Sequence, residues 1–403
     1  MKKRWPFGFN VLLFAAYASV GPFFILYYQD LGFTGAQIGL LSGISPLITF
    51  VFAPLWTRFA DRTLRHRLVM SLALLSAVAA FSVFPFLRAF APILGISILL
   101  NSLLSPITPF ADSAALYMLA DHKELYGRIR LGGTIGYGVA APIAGALVAR
   151  YGLGAAFWTC AGLYLLTFLI SRKLAYGPTK PAGGARGGRL RALVADPRWP
   201  LFLTVALLGG FALASFNYFF AYMKELGASE STMGLAITVG TLFEVPALFF
   251  GHRLIRRWSA HGVLLLAMVA LGVRLLLFAA CRTPGLVLLI QVTNGVTFPL
   301  MWVAGVSYAH EIAPEGMSTT AQGLFSATVY GFGMAAGGFL GGPLLESLGG
   351  RGLYLVFGLV TLALVGVVAL VEARLSSARP DAQGTLVLSR RPAVALGRRH
   401  SLR

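Results

Sequence analysis

The sequence predicts an all-α membrane protein with twelve transmembrane helices arranged as two pseudo-symmetric six-helix bundles. Three observations lead to this prediction. Of the 403 residues, 57% are apolar and only 12% are charged, whereas soluble domains carry about 25% charged residues. Apolar stretches of about 20 residues, the length that a bilayer requires, alternate with short polar loops. The chain also repeats itself at a shift of 195 residues.

The apolar stretches fall into two groups of six, separated by a polar interval. The first six predicted spans are 7–28, 37–56, 68–87, 91–119, 131–149 and 153–171. The second six are 199–223, 232–251, 262–280, 285–309, 320–344 and 352–371. The first apolar run continues to about Tyr28, which favours a retained helix over a cleaved signal peptide. The predicted units are an N-terminal bundle at 1–171, a cytoplasmic linker at 172–198, a C-terminal bundle at 199–371 and a basic, disordered tail at 372–403.

Basic residues are concentrated on alternate sides of the predicted membrane. The basic segments are the N-terminus, 58–67, 123–130, 172–198, 253–257 and the tail from Arg374. The intervening loops carry at most one Lys or Arg each. Because positively charged loops remain cytoplasmic, we expect a cell inner membrane protein with both termini in the cytoplasm. Most of the net charge of +19 then reflects topology and contact with anionic lipid, not a nucleic-acid site.

The internal repeat relates the two groups of spans. A shift of 195 residues aligns Gly39, Leu40, Leu47, Arg58, Arg62 and His66 with Gly234, Leu235, Leu242, Arg253, Arg257 and His261. A shift of 197 aligns Gly136, Gly145, Leu147 and Gly152 with Gly333, Gly342, Leu344 and Gly349. Chance identity in Gly- and Leu-rich helices is the alternative. The agreement of both shifts with the spacing of the groups favours a duplication, and hence a cavity between two parallel halves.

Several stretches resemble the major facilitator superfamily of transporters. The loop 61–67, Asp-Arg-Thr-Leu-Arg-His-Arg, resembles the cytoplasmic signature of that superfamily, although Thr57 and Leu64 stand where glycines are usual. A narrower resemblance, to phenylpropionate permeases, nucleoside:proton symporters and more distantly lactose permease, is carried by 21–24 with Tyr27, 109–113, 126–131, 243–246 and 291–298. The resemblance implies the major facilitator fold and secondary transport by alternating access.

One position departs from that branch. Its members often have histidines in the tenth helix, whereas this chain has Asn294 and Trp302 at the corresponding positions. If such a histidine relays protons in the relatives, the role is absent here or is carried by another residue.

Three ionisable residues fall at membrane depth: Asp112, Glu244 and Arg274. A charge at a helix centre costs about 2.5 to 3.5 kcal/mol on insertion scales, so each needs a structural or functional reason. Glu244 and Arg274 either form a buried pair that joins helices 8 and 9, or act together at a proton and substrate site. In the second case Arg274 is close to the Glu244 carboxylate in one conformation and leaves it in the other. Asp112 either lines the cavity or bonds to Arg130.

Neutral polar side chains in the spans extend this candidate set. Asn217, Gln291, Asn294 and Trp302 need hydrogen-bond partners in hydrocarbon, so each is a candidate for either helix packing or substrate contact. Tyr27 is a further substrate candidate. Asp61, Arg62 and Arg65, close to water, together with Arg130, form the candidate cytoplasmic gate. In this gate Asp61 would approach the N-terminus of span 11, where Ser318 or Thr319 could cap the helix.

These features predict a secondary active transporter, with proton-coupled uptake of an aromatic acid, nucleoside or sugar as the leading function. The stretch 138–145 partly resembles a proton antiporter signature, so export of drugs or metabolites is the alternative. A non-transporting receptor or membrane enzyme is the third possibility. The chain contains no phosphate-binding loop and no metalloprotease or nucleophile-elbow motif. We therefore expect no enzymatic activity, cofactor, metal site or nucleic-acid partner, and a monomer.

Overall fold

The computed structural model describes residues 4–120, 122, 125–177, 196, 198–315 and 317–377. Within these residues the chain is nearly all helical, and eleven helical segments are long and apolar enough to cross a membrane. Most of the predicted linker and the tail from residue 378 onwards lie outside the described residues, so their predicted roles remain predictions.

The first half of the chain contains helices α1 to α8. Their bounds are α1 Arg4–Val20, α2 Phe24–Asp30, α3 Gly35–Thr63, α4 His66–Val83, α5 Phe90–Leu104, α6 Ile107–Leu119, α7 Tyr126–Tyr151 and α8 Gly154–Ser171. The second half contains α9 to α16. Their bounds are α9 Arg198–Ala214, α10 Phe219–Glu225, α11 Glu230–Trp258, α12 Ala260–Ala280, α13 Pro284–Gln291, α14 Phe298–Glu311, α15 Ser318–Ala327 and α16 Met334–Ser377.

The last membrane segment, Ser318 to Arg374, has 57 residues and contains two helices that meet at a kink. Gly349 interrupts the helix geometry of α16, with φ 68° and ψ 178°. A left-handed φ of this kind favours glycine, and the bend falls between the predicted spans 320–344 and 352–371.

Four membrane segments are broken near their middle. Short 3-10 turns at Gly21–Phe23, Ser215–Tyr218 and Val292–Val296 separate α1 from α2, α9 from α10 and α13 from α14. The fourth break, between α5 and α6, falls at Ser105 and Pro106. Irregular backbone at membrane depth is tolerated where it is buried in protein or lines a cavity, so we expect these breaks to lie beside one.

Backbone features recur between the two halves at the predicted shifts. Gly32 and Gly227, 195 residues apart, both have a left-handed φ, at 74° and 81°. Thr34 and Ser229 then cap the helices that follow, since their hydroxyl oxygens accept bonds from Gln37 N and Thr232 N, each at 3.3 Å. Other pairs with a positive φ are Leu64 with Ser259 and Gly152 with Gly349. The repeat seen in the residues therefore extends to backbone geometry.

The two halves meet closely at one end of the helices. We call the end that carries Arg58, Arg62, Arg253 and the start of α1 the basic end; the other is the opposite end. A Cβ atom built on Gly342 of α16 would lie 2.1 Å from the Gly35 carbonyl oxygen of α3. Contact this close requires glycine, and it closes the opposite end between α3 and α16.

A second contact of the same kind joins α7 to α11 near the opposite end. A Cβ atom on Gly145 would lie 2.3 Å from the Glu230 carbonyl oxygen, and one on Gly234 would lie 2.4 Å from that of Ala141. The Thr238 hydroxyl donates to the Gly138 carbonyl oxygen at 2.7 Å. The halves are thus held together by backbone contact on both sides of the opposite end.

Candidate functional site

A cavity of about 990 Å³ lies between the two halves. Its wall takes residues from α1, α2, α3, α5 and α6 in the first half and from α14, α15 and α16 in the second. Three of the helix breaks also contribute, at Gly21, Ser105 and Asn217. The residues Ala53, Pro54, Asp112 and Gly323 extend this wall towards the basic end. A smaller cavity of about 340 Å³ shares Tyr17, Asn101 and Asn217 with it and adds Tyr137 and Ile237.

The cavity wall combines aromatic rings with neutral polar groups. The rings are those of Tyr17, Phe24, Tyr28, Phe50, Phe84, Trp302 and Tyr330. The polar groups are those of Ser42, Ser45, Thr49, Ser97, Asn101, Ser105, Thr108, Asn217 and Ser326. The Asn101 amide donates to Ser45 Oγ at 3.1 Å and to the Ser97 carbonyl oxygen at 2.8 Å. Two of the predicted neutral site residues, Asn217 and Trp302, lie in this wall.

Asp112 lies in the wall nearer the basic end, and its charge is balanced locally. One carboxylate oxygen is 3.6 Å from Arg130 Nη1. The Arg130 guanidinium also lies over the Phe14 ring, 5.2 Å from its centroid. The structure thus places Arg130 beside Asp112 and the cavity. Among the described residues, Asp112 is the one carboxylate of the wall, so the wall carries no unbalanced charge.

Glu244 and Arg274 belong to one hydrogen-bonded network with Asn294 between them. Asn294 Nδ2 donates to Glu244 Oε1 at 2.6 Å, while Asn294 Oδ1 accepts from Arg274 Nη1. Arg274 also donates to Thr297 Oγ1 at 3.1 Å and to Gln291 Oε1. The direct Glu244–Arg274 pair that the sequence suggested is therefore replaced by an amide bridge, because the 3-10 turn Val292–Val296 places Asn294 between the two charged groups.

Arg274 is the most deeply buried charged residue of this network, with 1% of its surface exposed. Its guanidinium lies 5.6 Å and 5.3 Å from the ring centroids of Phe216 and Phe278, a geometry that stabilises a cation. Its Nε and the Nε2 of Gln291 have no hydrogen-bond partner within the described part of the chain. Gln291 and Asn294 both pack against the groove at Gly240 on α11. This network holds α11, α12 and the α13–α14 break together.

Tyr27 lies away from the cavity wall. Its hydroxyl donates to the carbonyl oxygens of Phe84 and Leu87, each at 2.9 Å, and its ring lies 4.7 Å from that of Phe157. The second half repeats this arrangement with Tyr222, 195 residues later. The Tyr222 hydroxyl donates to the Phe278 carbonyl oxygen at 2.6 Å, and its ring lies 4.7 Å from that of Tyr354. A duplicated bond of this kind is a structural lock, so the structure does not place Tyr27 with the substrate candidates.

The predicted gate residues lie at the basic end. Asp61 is 2.9 Å from His66 Nε2, and Arg62 and Arg65 are exposed. Ser318, the predicted cap, instead bonds to the ring of His310. In this conformation the structure therefore does not show the predicted approach of Asp61 to α15, which stays a prediction for the state closed at the basic end.

Two residues that sequence reasoning missed line the cavities. Tyr137 of α7 lines the smaller cavity and Tyr330 lines the larger one. Tyr137 lies within a glycine-rich stretch of the sequence and Tyr330 directly precedes another. Tyr330 lies in the turn between α15 and α16, and Tyr137 lies on α7 beside the contact with α11. Only the fold shows these two positions.

The comparisons with known proteins agree with this architecture. The maltose permease of Geobacillus stearothermophilus is 30% identical over 366 residues, which cover 90% of this chain and 92% of that protein. A probable 3-phenylpropionic acid transporter of Escherichia coli (strain K12) is 25% identical over 359 residues, covering 87% and 92%. A crystal structure of the nucleoside transporter NupG matches with a TM-score of 0.80 at 18% identity, covering 92% of this chain and 98% of that one.

These relatives are transporters, not enzymes, and the structural likeness to NupG shows a shared fold. The model described as "MFS_1 like family" matches residues 7–356, from the first membrane helix to beyond the bend at Gly349. The chain therefore belongs to the MFS_1 like family of major facilitator superfamily transporters.

Proposed function

We propose that this protein is a proton-coupled secondary transporter that takes up a small, neutral organic solute by alternating access. The observation that carries the proposal is the 990 Å³ cavity, which has walls from both halves and extends towards the basic end. At the opposite end the halves are closed by the contacts of α3 with α16 and of α7 with α11. Alternating access requires such a site with one end closed at a time.

The proposal includes the topology predicted from the sequence. Counting the last membrane segment as two helices that meet at Gly349 gives twelve spans in two six-helix bundles, at 1–171 and 199–371. The recurrence of positive-φ residues, helix caps and the tyrosine lock at shifts of 195 to 197 residues supports the duplication. The basic end then faces the cytoplasm with both termini, the linker 172–198 and the tail 372–403, and the protein works as a monomer among inner-membrane lipids.

The cavity chemistry favours a neutral, hydroxylated substrate with a flat or apolar face. Hydroxyl and amide groups suit hydroxylated solutes, and the aromatic rings provide stacking surfaces. An organic anion would need an unpaired cation, but Arg130 is beside Asp112 and Arg274 is buried in its own network. Of the three proteins compared above, one is named a maltose permease and one is a nucleoside transporter. These neutral classes fit the wall better than the anion 3-phenylpropionate.

Glu244 is our candidate for the proton-coupling group. It is an acid of the second half that lies at membrane depth, and within the part of the chain that the structure describes its bonded side chain is the neutral Asn294. An amide can bond to either a carboxylate or a carboxylic acid. Glu244 can therefore gain and lose a proton without breaking the bonds that hold Arg274. This assigns the coupling role to a glutamate in a chain that has Asn294 and Trp302 where the resembled branch often has histidines in the tenth helix.

The test is uptake by proteoliposomes under an imposed pH gradient, acidic outside, with radiolabelled maltose, uridine and 3-phenylpropionate. We expect accumulation of a neutral solute that collapses when a protonophore is added. A gradient of about one pH unit supports at most about tenfold accumulation per proton. Accumulation of 3-phenylpropionate alone would contradict the neutral class. Equilibration without accumulation would contradict proton coupling.

Export by proton antiport is the second candidate. The stretch 138–145, which partly resembles an antiporter signature, forms the contact of α7 with α11. The same proteoliposomes test this candidate, because an antiporter accumulates its substrate when the gradient is reversed.

A further inference from the structure

Asn101 of the first half lies in the walls of both cavities, and so does Asn217 of the second half. Asn101 is in the last turn of α5, shortly before the break at Ser105 and Pro106. Asn217 is in the break between α9 and α10. A solute between the two halves therefore meets one amide from each half, and the two amides differ in what they can offer it.

The hydrogen bonds of Asn101 fix the orientation of its amide. Its Nδ2 donates to the Ser97 carbonyl oxygen at 2.8 Å and to Ser45 Oγ at 3.1 Å. Because a carbonyl oxygen can only accept, the amide atom that faces it must be the nitrogen. Ser45 gives the same answer, since its own hydroxyl proton is donated to the Leu41 carbonyl oxygen at 3.0 Å. A rotated amide would bring its oxygen against two acceptors.

These bonds leave a single atom of the Asn101 amide for a solute. Both hydrogens of Nδ2 are used, whereas Oδ1 accepts no hydrogen bond from the residues that the structure describes. This oxygen is also not enclosed by protein, because it is not one of the buried side-chain atoms that lack a partner in the described chain. Asn101 Oδ1 is therefore open to the cavities, and it can only accept.

Asn217 imposes no such requirement. Its side-chain amide makes no hydrogen bond to any other residue of the described ranges. An amide that is free to turn can present either its oxygen or its nitrogen to a solute. A preference for donors over acceptors at this place in the cavity must therefore come from the fixed amide of Asn101.

We propose that Asn101 Oδ1 is the specificity-determining acceptor of the cavity and that it selects solutes carrying a hydroxyl group opposite it. This inference rests on the proposed function and narrows its substrate class. A solute hydroxyl can donate to Oδ1 and so replaces the bond that it leaves in water. A carboxylate or ether oxygen cannot donate, so two acceptors would face each other and both would lose hydration.

The test measures binding to the purified protein by isothermal titration calorimetry, with uridine and maltose as probes. Each probe is compared with analogues in which one hydroxyl is replaced by fluorine, which is similar in size but cannot donate a hydrogen bond. The wild type is compared with Asn101→Ala, which removes the acceptor. Asn217→Ala is the matched control, because it truncates the same kind of side chain in the same two cavity walls.

For a probe that binds, we expect one fluoro analogue to bind about 2- to 10-fold more weakly than its parent, the factor that one neutral hydrogen bond gives. This difference should disappear in Asn101→Ala. In Asn217→Ala the same difference should remain, even where the affinity for parent and analogue falls. If Asn101→Ala does not insert, Asn101→Ser gives the same comparison. Serine can bond to the Ser97 carbonyl oxygen four residues earlier, but it is too short to keep the acceptor in place.

Three outcomes would overturn the inference and leave the proposed function intact. Binding of uridine or maltose that no fluorine substitution weakens would show that the cavity requires no hydroxyl donor. Fluoro analogues that remain as weak in Asn101→Ala as in the wild type would show that another group accepts the bond. Loss of the same difference in Asn217→Ala would show that the requirement does not come from Asn101. Failure of the wild type to bind either neutral probe would instead refute the neutral substrate class of the proposed function.

Discussion

Replacement of Glu244 by glutamine tests whether this residue couples transport to protons or only stabilises the fold. Glutamine keeps an acceptor oxygen at the position where Asn294 Nδ2 donates at 2.6 Å, but it cannot release a proton. The direct bonds of Arg274 go to Asn294, Thr297 and Gln291, and all three remain in the variant. The substitution therefore leaves the buried arginine with its acceptors.

The expected cost in stability follows from this arrangement. A hydrogen bond to a charged group contributes about 1.5 to 3 kcal/mol and a neutral one about 0.5 to 1.5 kcal/mol, so Glu244→Gln should cost about 1 kcal/mol. Breaking a direct buried ion pair would instead cost about 3 to 5 kcal/mol. Arg274→Gln should reach that larger range, because it removes the charged donor from three buried acceptors. Thermal unfolding of the purified variants in detergent distinguishes the two magnitudes.

The transport assay then separates the two roles of the residue. Gradient-driven accumulation should vanish in Glu244→Gln, while solute exchange without a gradient should continue, since exchange needs only the movement of the loaded carrier. The reasoning fails if the variant inserts normally and still accumulates solute against its gradient. Asp112 would then be the next acid to test. A loss of folding in Glu244→Gln comparable to that of Arg274→Gln would refute the amide-bridge account of the network.

Three further changes test other parts of the structure. Tyr27→Phe and Tyr222→Phe should each lower the free energy of unfolding by about 1 to 3 kcal/mol, because buried carbonyl oxygens lose their donor. Solute affinity should change little, and a large rise in the half-saturating concentration for Tyr27→Phe alone would return this residue to the binding site. Gly342→Ala places a methyl group 2.1 Å from the Gly35 carbonyl oxygen and should destabilise closure of the opposite end, measured as a greater distance between spin labels on α3 and α16. The control is Gly366→Ala, whose added Cβ meets open space. Deletion of 378–403 should leave transport intact, because this arginine-rich segment has no apolar face to pack, and impaired transport by a normally inserted truncation would contradict that expectation.

Several residues of the site were predictable from the sequence, because the free-energy cost of placing a polar side chain within an apolar run is a local property. Glu244 and Arg274 stand out since each is a charge within an apolar run, and a charge at that depth is unfavourable without partners. Asn294 and Gln291 stand out as amides for the same reason, and the structure brings all four together. The alternative bond of Asp112 to Arg130 also follows from the short distance between the ends of their spans. Polarity along the chain was sufficient to nominate these residues.

The order of contacts within the network was not predictable. Whether Glu244 meets Arg274 directly or through Asn294 depends on a 3-10 turn at Val292–Val296 and on the rotation of α11 against it. Tyr27 illustrates the same difficulty, because a tyrosine in the first span reads equally well as a ligand or as a packing residue. The carbonyl oxygens that its hydroxyl bonds lie 57 and 60 residues away. Only the meeting of those helix faces decides the question.

The sequence by itself determined the membrane class, the approximate spans and the internal repeat, because apolar run length and residue spacing are properties of the chain. It also identified the ionisable groups that need a reason to be buried. The tertiary structure decided which helix faces meet, and so placed Tyr137 of one half in the wall of the smaller cavity and Tyr330 of the other half in the wall of the larger one. It also decided which end of the cavity is closed, since that depends on glycine contacts between residues about 300 positions apart, such as Gly35 and Gly342. Such contacts arise from the packing of whole helices, and no local pattern of residues specifies them.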